Sequence, residues 1–162
     1  MTSLAPASRV GRDVSFLFDH NGFVLKSRMS AALAEIGLTP RMHCVLVHAL
    51  EEERTQNQLA EIGDMDKTTM VVTVDALERD GLAERRPSSR DRRARVIAVT
   101  GKGAEVAARS QEIVDAVHGE VLDALPEDER EVFLRALNRL ATGLLAEPVA
   151  TTATRRTRER AL

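Results

Sequence analysis

The sequence predicts a mainly α-helical chain carrying one small β-hairpin. Three observations lead there. Aromatic residues make up only 2% of the 162, with no Trp and no Tyr, so the core is built from Leu, Val, Ala, Ile and Met, a set that favours helices over a β-sandwich. Apolar residues recur at helical spacing along most of the chain. Strand-like alternation is confined to LAERR, Leu82–Arg86, and ARVIAVT, Ala94–Thr100.

Length and composition (43% hydrophobic, 30% charged) are those of one globular domain with a sizeable core. A single cysteine, Cys44, excludes an intrachain disulfide and fits a reducing, cytoplasmic compartment. No apolar run is long enough to span a bilayer, and the N-terminus has no signal-like apolar stretch, so no membrane partner is expected.

Residues 1–12 read as a flexible arm. Between Asp13 and Ile36 the apolar positions Leu17, Val24 and Ala31 mark a helix that Gly37 ends. Thr39 as N-cap and Pro40 at the first helical position start the next, running to about Glu52, with Met42, Val45, Leu46 and Leu50 expected inside. Thr55 and Gln58 have capping-box spacing, and the short helix they open stops at Gly63. Asp66 caps a further helix that ends near Asp80 and Gly81, anchored to the core by Met70, Val74 and Leu77. Two short helices joined by a few residues including glycine form a helix-turn-helix. The two alternating segments with PSSRDRR between them then form a hairpin, and a hairpin in that position makes a winged helix. After Thr100 a long helix carries Val106, Ile113, Val117 and Val121 on one stripe. Pro126 starts the last helix, striped by Phe133, Leu137, Leu140 and Leu144. Residues 147–162 read as a flexible basic tail.

Charge is unevenly placed. The chain has a formal net charge of −2, yet Arg85–Arg95 contains six arginines and one aspartate. A basic patch on an acidic body points to a local anionic partner. A helix entering the major groove needs short polar side chains at its N-terminus, and Asp66, Lys67, Thr68 and Thr69 meet that need. Val71, Val72 and Thr73 follow; outward valines suit thymine methyl groups, or else pack against a neighbouring helix. On the hairpin, Arg86, Ser88, Ser89, Arg90, Asp91, Arg92, Arg93 and Arg95 are the candidate wing contacts, with an arginine probing the minor groove and Asp91 buttressing an arginine side chain. Double-stranded DNA is the expected partner.

The segment DRRARVIAVTGKG, Asp91–Gly103, resembles the wing-to-helix signature of the MarR regulators, D-x-R, an apolar strand, then L-T-x-x-G. Asp91, Arg93, Ile97, Thr100 and Gly103 fall in place, with Val99 for the usual Leu. GLTP before the second helix and LERDGLAERR entering the wing are similar too, and the resemblance covers residues 13–146. It implies one MarR-like domain: a winged-helix part, 39–100, flanked by dimerisation helices, 13–37 and 101–146. It further implies a homodimeric repressor of a pseudopalindromic operator, relieved by a small-molecule effector that the sequence does not identify. The dimerisation residues would include Phe16, Leu17, Val24, Val117, Val121, Phe133, Leu137, Leu140 and Leu144. Many members carry Thr-Arg where this chain has Val71-Val72, so their operator sequences do not transfer. The alternatives are a constitutive DNA-binding regulator and a winged-helix dimerisation module that never touches DNA.

Other chemistry is not signalled. There is no phosphate-binding glycine loop, HExxH or supported Ser-His-Asp order, so neither an enzyme nor a cofactor is expected. Cys44 reads as a buried structural thiol in an apolar helix. No metal site is expected: His43 and His48 are separated by about 140° around their helix and cannot share an ion from one face. The acidic LPEDERE segment suits a helix N-terminus.

Overall fold

The computed structural model describes residues 12–149. Within them the order is α1 (Val14–Ala34), α2 (Pro40–Glu51), α3 (Gln56–Ile62), α4 (Lys67–Arg79), β1 (Ala83–Pro87), β2 (Arg95–Val99), α5 (Gly101–Asp123) and α6 (Glu127–Ala141). This is the mainly helical winged helix-turn-helix that the sequence predicts. Nearly all of the expected basic tail (150–162 of 147–162) and of the N-terminal arm (1–11 of 1–12) lies outside the described residues. The chain divides into two compact units, one up to Gly119 and one from Glu120.

Most helix boundaries have a local cause in the sequence. Asp13 accepts the Phe16 N–H at 3.1 Å and opens α1. Thr39 does the same for Met42 at 3.2 Å, with Pro40 in the first turn of α2. Thr55 and Gln58 form the complete reciprocal capping box of α3. Gly37 and Gly81, at φ +74° and +70°, end α1 and α4 in the left-handed region. There the N–H of Leu38 returns to the Leu33 carbonyl at 3.1 Å, and that of Leu82 to Leu77 at 2.8 Å. Helix α3 stops at Gly63, as expected, but the turn after it does not use a left-handed glycine. Asp64, not Gly63, takes the left-handed conformation, at φ +48°, and the Met65 N–H bonds the Ala60 carbonyl at 2.8 Å. Gly63 is small for packing: a Cβ there would stand 2.3 Å from Met65 Cε and 3.2 Å from Cys44 Sγ.

In the first unit the core gathers Leu33, Leu38, Met42, Val45, Leu46, Leu59, Met70, Val74, Leu77, Leu82, Ile97, Ala107 and Val114. The three predicted anchors of α4, Met70, Val74 and Leu77, are at most 1% exposed. Leu50 is not in this core. It is 48% exposed, in the last turn of α2. The inner stripe of α5 is Gly103, Ala107, Ser110, Val114 and Val117, rotated from the predicted one; Val106 and Ile113 flank it, half-buried. Val117 therefore packs inside its own chain, which corrects its assignment to a dimer surface. His43 joins α2 to α5 through Nδ1, 2.8 Å from the Ser110 hydroxyl. That hydroxyl donates to the Ala107 carbonyl at 2.8 Å, so Nδ1 is the donor toward Ser110.

The hairpin is antiparallel, with Ala83 opposite Val99 and Pro87 opposite Arg95. Val96 and Ile97 are both buried, contrary to simple alternation, because the segment before α3 runs along β2. Thr55 forms a bridge with Val96, and the Ile97 N–H donates to the Arg54 carbonyl at 3.1 Å. Thr100 closes the hairpin and starts α5. Its N–H donates to the Leu82 carbonyl at 3.0 Å and its hydroxyl to the Gly81 carbonyl at 2.8 Å, while its Oγ1 accepts the Gly103 N–H at 3.0 Å.

In the second unit Glu127, Asp128 and Glu129 occupy the first turn of α6, where carboxylates complement the helix dipole. Arg130 pairs with Asp123 at 2.7 Å and donates to the Leu125 carbonyl at 3.2 Å. Helix α6 ends at Ala141, so Leu144 lies beyond it and not on its stripe. No helix among the described residues is long and apolar enough to cross a membrane.

Candidate nucleic-acid interface

Helix α4 divides cleanly by face. Met70, Thr73, Val74 and Leu77 point inward. Lys67, Thr68, Val71, Val72 and Asp75 are exposed and share the other face, as positions i, i+1, i+4, i+5 and i+8 must. Thr73, predicted among the outward contacts, is buried instead, and its hydroxyl donates to the Thr69 carbonyl at 2.8 Å. Three residues after Met70 is the inner side of a helix, whatever the polarity of the side chain.

The first turn of α4 is already partly committed. Asp66 Oδ1 accepts the Thr69 N–H at 2.9 Å, and Oδ2 accepts the Thr69 hydroxyl at 2.6 Å. These bonds, with further backbone N–H groups of the turn, hold the Asp66 carboxyl below the usual carboxylate range. Asp66 and Thr69 thus satisfy each other as a cap, which leaves Lys67 and Thr68 as the free polar groups of that turn. Val71 and Val72 are 42% and 63% exposed, so both side chains are open to an outside partner.

The arginines of the hairpin fall into two groups. Arg85 and Arg86 are neutralised. Arg85 bonds Asp75 at 2.7 Å and Gln56 at 3.3 Å, pairs with Glu78, and donates its N–H to Glu78 Oε1 at 2.8 Å. It therefore staples β1 to α3 and α4. Arg86 pairs with Glu84 on its own strand. The guanidinium groups of Arg90, Arg92, Arg93 and Arg95 have no ion-pair or hydrogen-bond partner among the described residues, and all four side chains are exposed. Asp91 works on the backbone: Oδ1 accepts the Arg93 N–H at 2.9 Å and its carbonyl accepts the Ala94 N–H at 2.9 Å. It forms a turn and does not buttress an arginine side chain, as the sequence had suggested. Ser88 is buried, its hydroxyl directed to Glu53 at 2.9 Å, while Ser89 is exposed.

Sequence reasoning missed Arg85, Glu53 and Arg54. A signal for Arg85 was present, since Asp75 and Glu78 stand three apart on α4 with an arginine entering the next strand. None existed for Glu53, whose partners are some 35 residues away in sequence.

An exposed helix face and an uncompensated cluster of guanidinium groups on a hairpin loop make a surface suited to a polyanion with grooves. Residues 36–94 match the model of the MarR family. The chain is also similar in structure to CouR from Rhodococcus jostii RHA1 bound to p-coumaroyl-CoA, at 29% identity and TM-score 0.75, over 89% of this chain and 99% of that one. The family match takes in α2, α3, α4, β1 and the wing loop. A second similar MarR-fold structure is the transcriptional repressor CouR bound to a 23-mer DNA duplex, at 25% identity and TM-score 0.74, covering 86% of this chain and 99% of that one. A third is the Mycobacterium tuberculosis MarR family protein Rv2887 in complex with salicylic acid, at 26% identity and TM-score 0.67, covering 78% and 95%. The MarR-like residues noted in the sequence have physical roles here. Asp91 shapes the loop, Thr100 closes the hairpin, and Gly103 admits the Leu82 carbonyl, which an added Cβ would meet at 1.9 Å.

Proposed function

We propose that this chain is a homodimeric repressor that binds a pseudopalindromic double-stranded DNA operator and is released from it by a small ligand. The observation that carries the DNA reading is the set of four arginines on a hydrogen-bonded wing that form no ion pair or hydrogen bond through their guanidinium groups among the described residues, following a helix with an exposed outward face. Lys67, Thr68, Val71 and Val72 of α4 enter the major groove, and Arg90, Arg92, Arg93 and Arg95 reach the adjacent backbone and minor groove. The DNA-bound repressor CouR among the similar structures supports this reading.

Exposed apolar groups on α1 in the first unit and, separately, on α6 in the second support pairing. Phe16, Leu17, Phe18, Phe23 and Val24 on α1, and Val132, Phe133, Leu134 and Leu140 on α6, are exposed large apolar groups in the single chain. Two copies that cover them place two recognition helices about one DNA turn apart, roughly 34 Å.

The ligand reading rests on a cavity of about 380 Å³ between α1, α2 and the α3–α4 turn. Leu25, Met29, Pro40 and Met65 give it apolar lining, and Lys26 and Arg41 supply positive charge. Asp64 and Asp66 line the same cavity and balance that charge, so Lys26 and Arg41 are the groups an anionic occupant would pair with; the similar structures bound to p-coumaroyl-CoA and salicylic acid favour an aromatic carboxylate or its thioester. Asp66 and Thr69, the cap of α4, also line the cavity. An occupant that draws on either loosens the first turn of the recognition helix.

Selection of duplexes from a random pool, followed by binding measurements between 50 and 200 mM salt, tests the proposal. The expected result is one enriched, inverted-repeat sequence and a log–log salt slope of roughly −5 to −9. No enrichment, or a flat salt dependence, refutes DNA binding; a chain that sediments as a monomer refutes the pairing.

A further inference from the structure

Glu53 belongs to no motif in the sequence, yet it fastens the wing loop to the body of the chain. Among the described residues, every hydrogen bond from the 88–94 loop to a group outside the hairpin ends on its carboxylate. Glu53 Oε2 accepts the Ser88 hydroxyl at 2.9 Å and the Ser89 N–H at 3.1 Å, and Oε1 accepts the same N–H at 3.3 Å. The Ser88 oxygen in turn accepts the Arg90 N–H at 3.1 Å. The loop closes on itself through Ser88 N–H to the Ala94 carbonyl at 2.9 Å and through the Asp91 turn.

The segment that presents Glu53 is itself held at both ends. Arg54 bonds the carboxylates of Glu51 at 2.7 Å and Glu52 at 2.9 Å, and also donates to the His48 carbonyl near the end of α2. Its own carbonyl receives the Ile97 N–H, and Thr55 both bridges to Val96 and caps α3. Glu53 is therefore a fixed acceptor, not a loose surface acid. The Ser88 and Ser89 donors hold its carboxyl below the usual carboxylate range, with Arg90 contributing at longer reach.

A carboxylate beside four arginines that await a polyanion works against binding if charge alone is counted. We propose that Glu53 is a positioning residue for the wing: its carboxylate fixes the Ser88–Ala94 loop, so Arg90, Arg92, Arg93 and Arg95 meet DNA already ordered. Ordering the loop beforehand removes an entropy cost that would otherwise fall on the complex. The inference rests on the DNA-binding reading above.

Charge and geometry predict opposite outcomes, which makes the test sharp. Full-length Glu53→Ala, Glu53→Gln and Glu53→Asp are compared with wild type on a duplex that the wild type selects from a random pool and on a mixed-sequence duplex. If Glu53 positions the loop, the Ala variant binds the selected duplex about tenfold more weakly, from the lost bonds, but binds the mixed duplex no more weakly. The Gln variant keeps an acceptor at the same reach and recovers most of the affinity. The Asp variant keeps the charge one methylene short and loses at least as much as Ala. Amide exchange at Ser89 quickens in the Ala and Asp variants only. An Ala variant that binds the selected duplex as tightly as wild type, or weakens equally on both duplexes, overturns the proposal. Should the Glu53 variants not fold, Ser88→Ala removes one donor of the same latch: about a threefold loss confined to the selected duplex is expected, and no loss overturns it. A wild type that selects no duplex overturns the DNA-binding reading and this one with it, whereas the outcomes above overturn this one alone.

Discussion

Gly103→Ala isolates the contact on which the joint between wing and α5 depends. An ideal Cβ at Gly103 stands 1.9 Å from the Leu82 carbonyl oxygen and 2.8 Å from both the Leu82 carbonyl carbon and Val99 Cγ1. Ordinary carbon–oxygen contact is about 3.3 Å or more, so the first turn of α5 must back away from the hairpin by over an ångström. Overpacking of this kind costs about 1–3 kcal/mol. The displacement also stretches the Thr100 N–H to Leu82 bond and the Gly103 N–H to Thr100 bond, at about 1 kcal/mol each if fully lost. Alanine returns about 1 kcal/mol in helix propensity. The net loss is about 2–3 kcal/mol, or roughly 5–10 °C in Tm for a chain of this length. Gly119, in the same helix, has nothing within 4 Å of an added Cβ. There the propensity gain stands alone, and Gly119→Ala raises stability by about 0.5–1 kcal/mol. Thermal and urea unfolding, followed by circular dichroism at equal chain concentration, measures both. A Gly103→Ala chain as stable as wild type, or as stable as Gly119→Ala, would refute the reasoning.

Arg93→Ala and Arg85→Ala separate binding from folding. The Arg93 guanidinium has no partner among the described residues, so its loss leaves Tm unchanged and weakens DNA binding by about 1–3 kcal/mol. Arg85 ties β1 to α3 and α4, so its loss leaves Glu78 short of a partner and lowers stability by roughly 1–3 kcal/mol in urea titrations. His43 has its pKa lowered from 6.5, first by burial and then by His48 and His118, against a smaller raising influence of Asp115. The fold favours the neutral ring, so this stability is complete above about 6.5 and is lost as pH falls through the lowered folded value. Urea midpoints between pH 7.5 and 5 should decline, and His43→Asn should start lower yet decline less. The Cys44 thiol is pushed up by burial and by Asp64, so a thiol reagent at pH 8 should react with the native chain several times more slowly than with the unfolded one. Equal rates would contradict its partly buried placement.

Much of this architecture was legible because its signals are local. Caps at Thr39, Thr55 and Asp66, the helix-ending glycines at 37 and 81, and the 3.6-residue spacing of Met70, Val74 and Leu77 depend on neighbours within a turn or two. The errors have a common cause. Thr73 was read from its polarity, although its position on α4 places it inside. Asp91 was read by its charge, while its real partner is a backbone N–H two residues away. The stripe of α5 was displaced because Gly103, Ala107 and Ser110 are small, and close packing selects small residues where hydrophobicity alone would choose Val106 and Ile113.

The sequence by itself determined the helices, their ends, the hairpin and the concentration of arginines between them, since each follows from spacing and from a residue's own conformational limits. Which of those arginines are free was a tertiary decision. Arg85 is consumed by Asp75 and Glu78 on another element, whereas the guanidinium groups of Arg90, Arg92, Arg93 and Arg95 form no ion pair or hydrogen bond among the described residues. The same is true of Glu53, which acts on Ser88 and Ser89 only after the chain between α2 and α3 is laid against β2. Charge is written in the composition, but whether a charge remains available to a partner depends on what folding brings within about 4 Å of it.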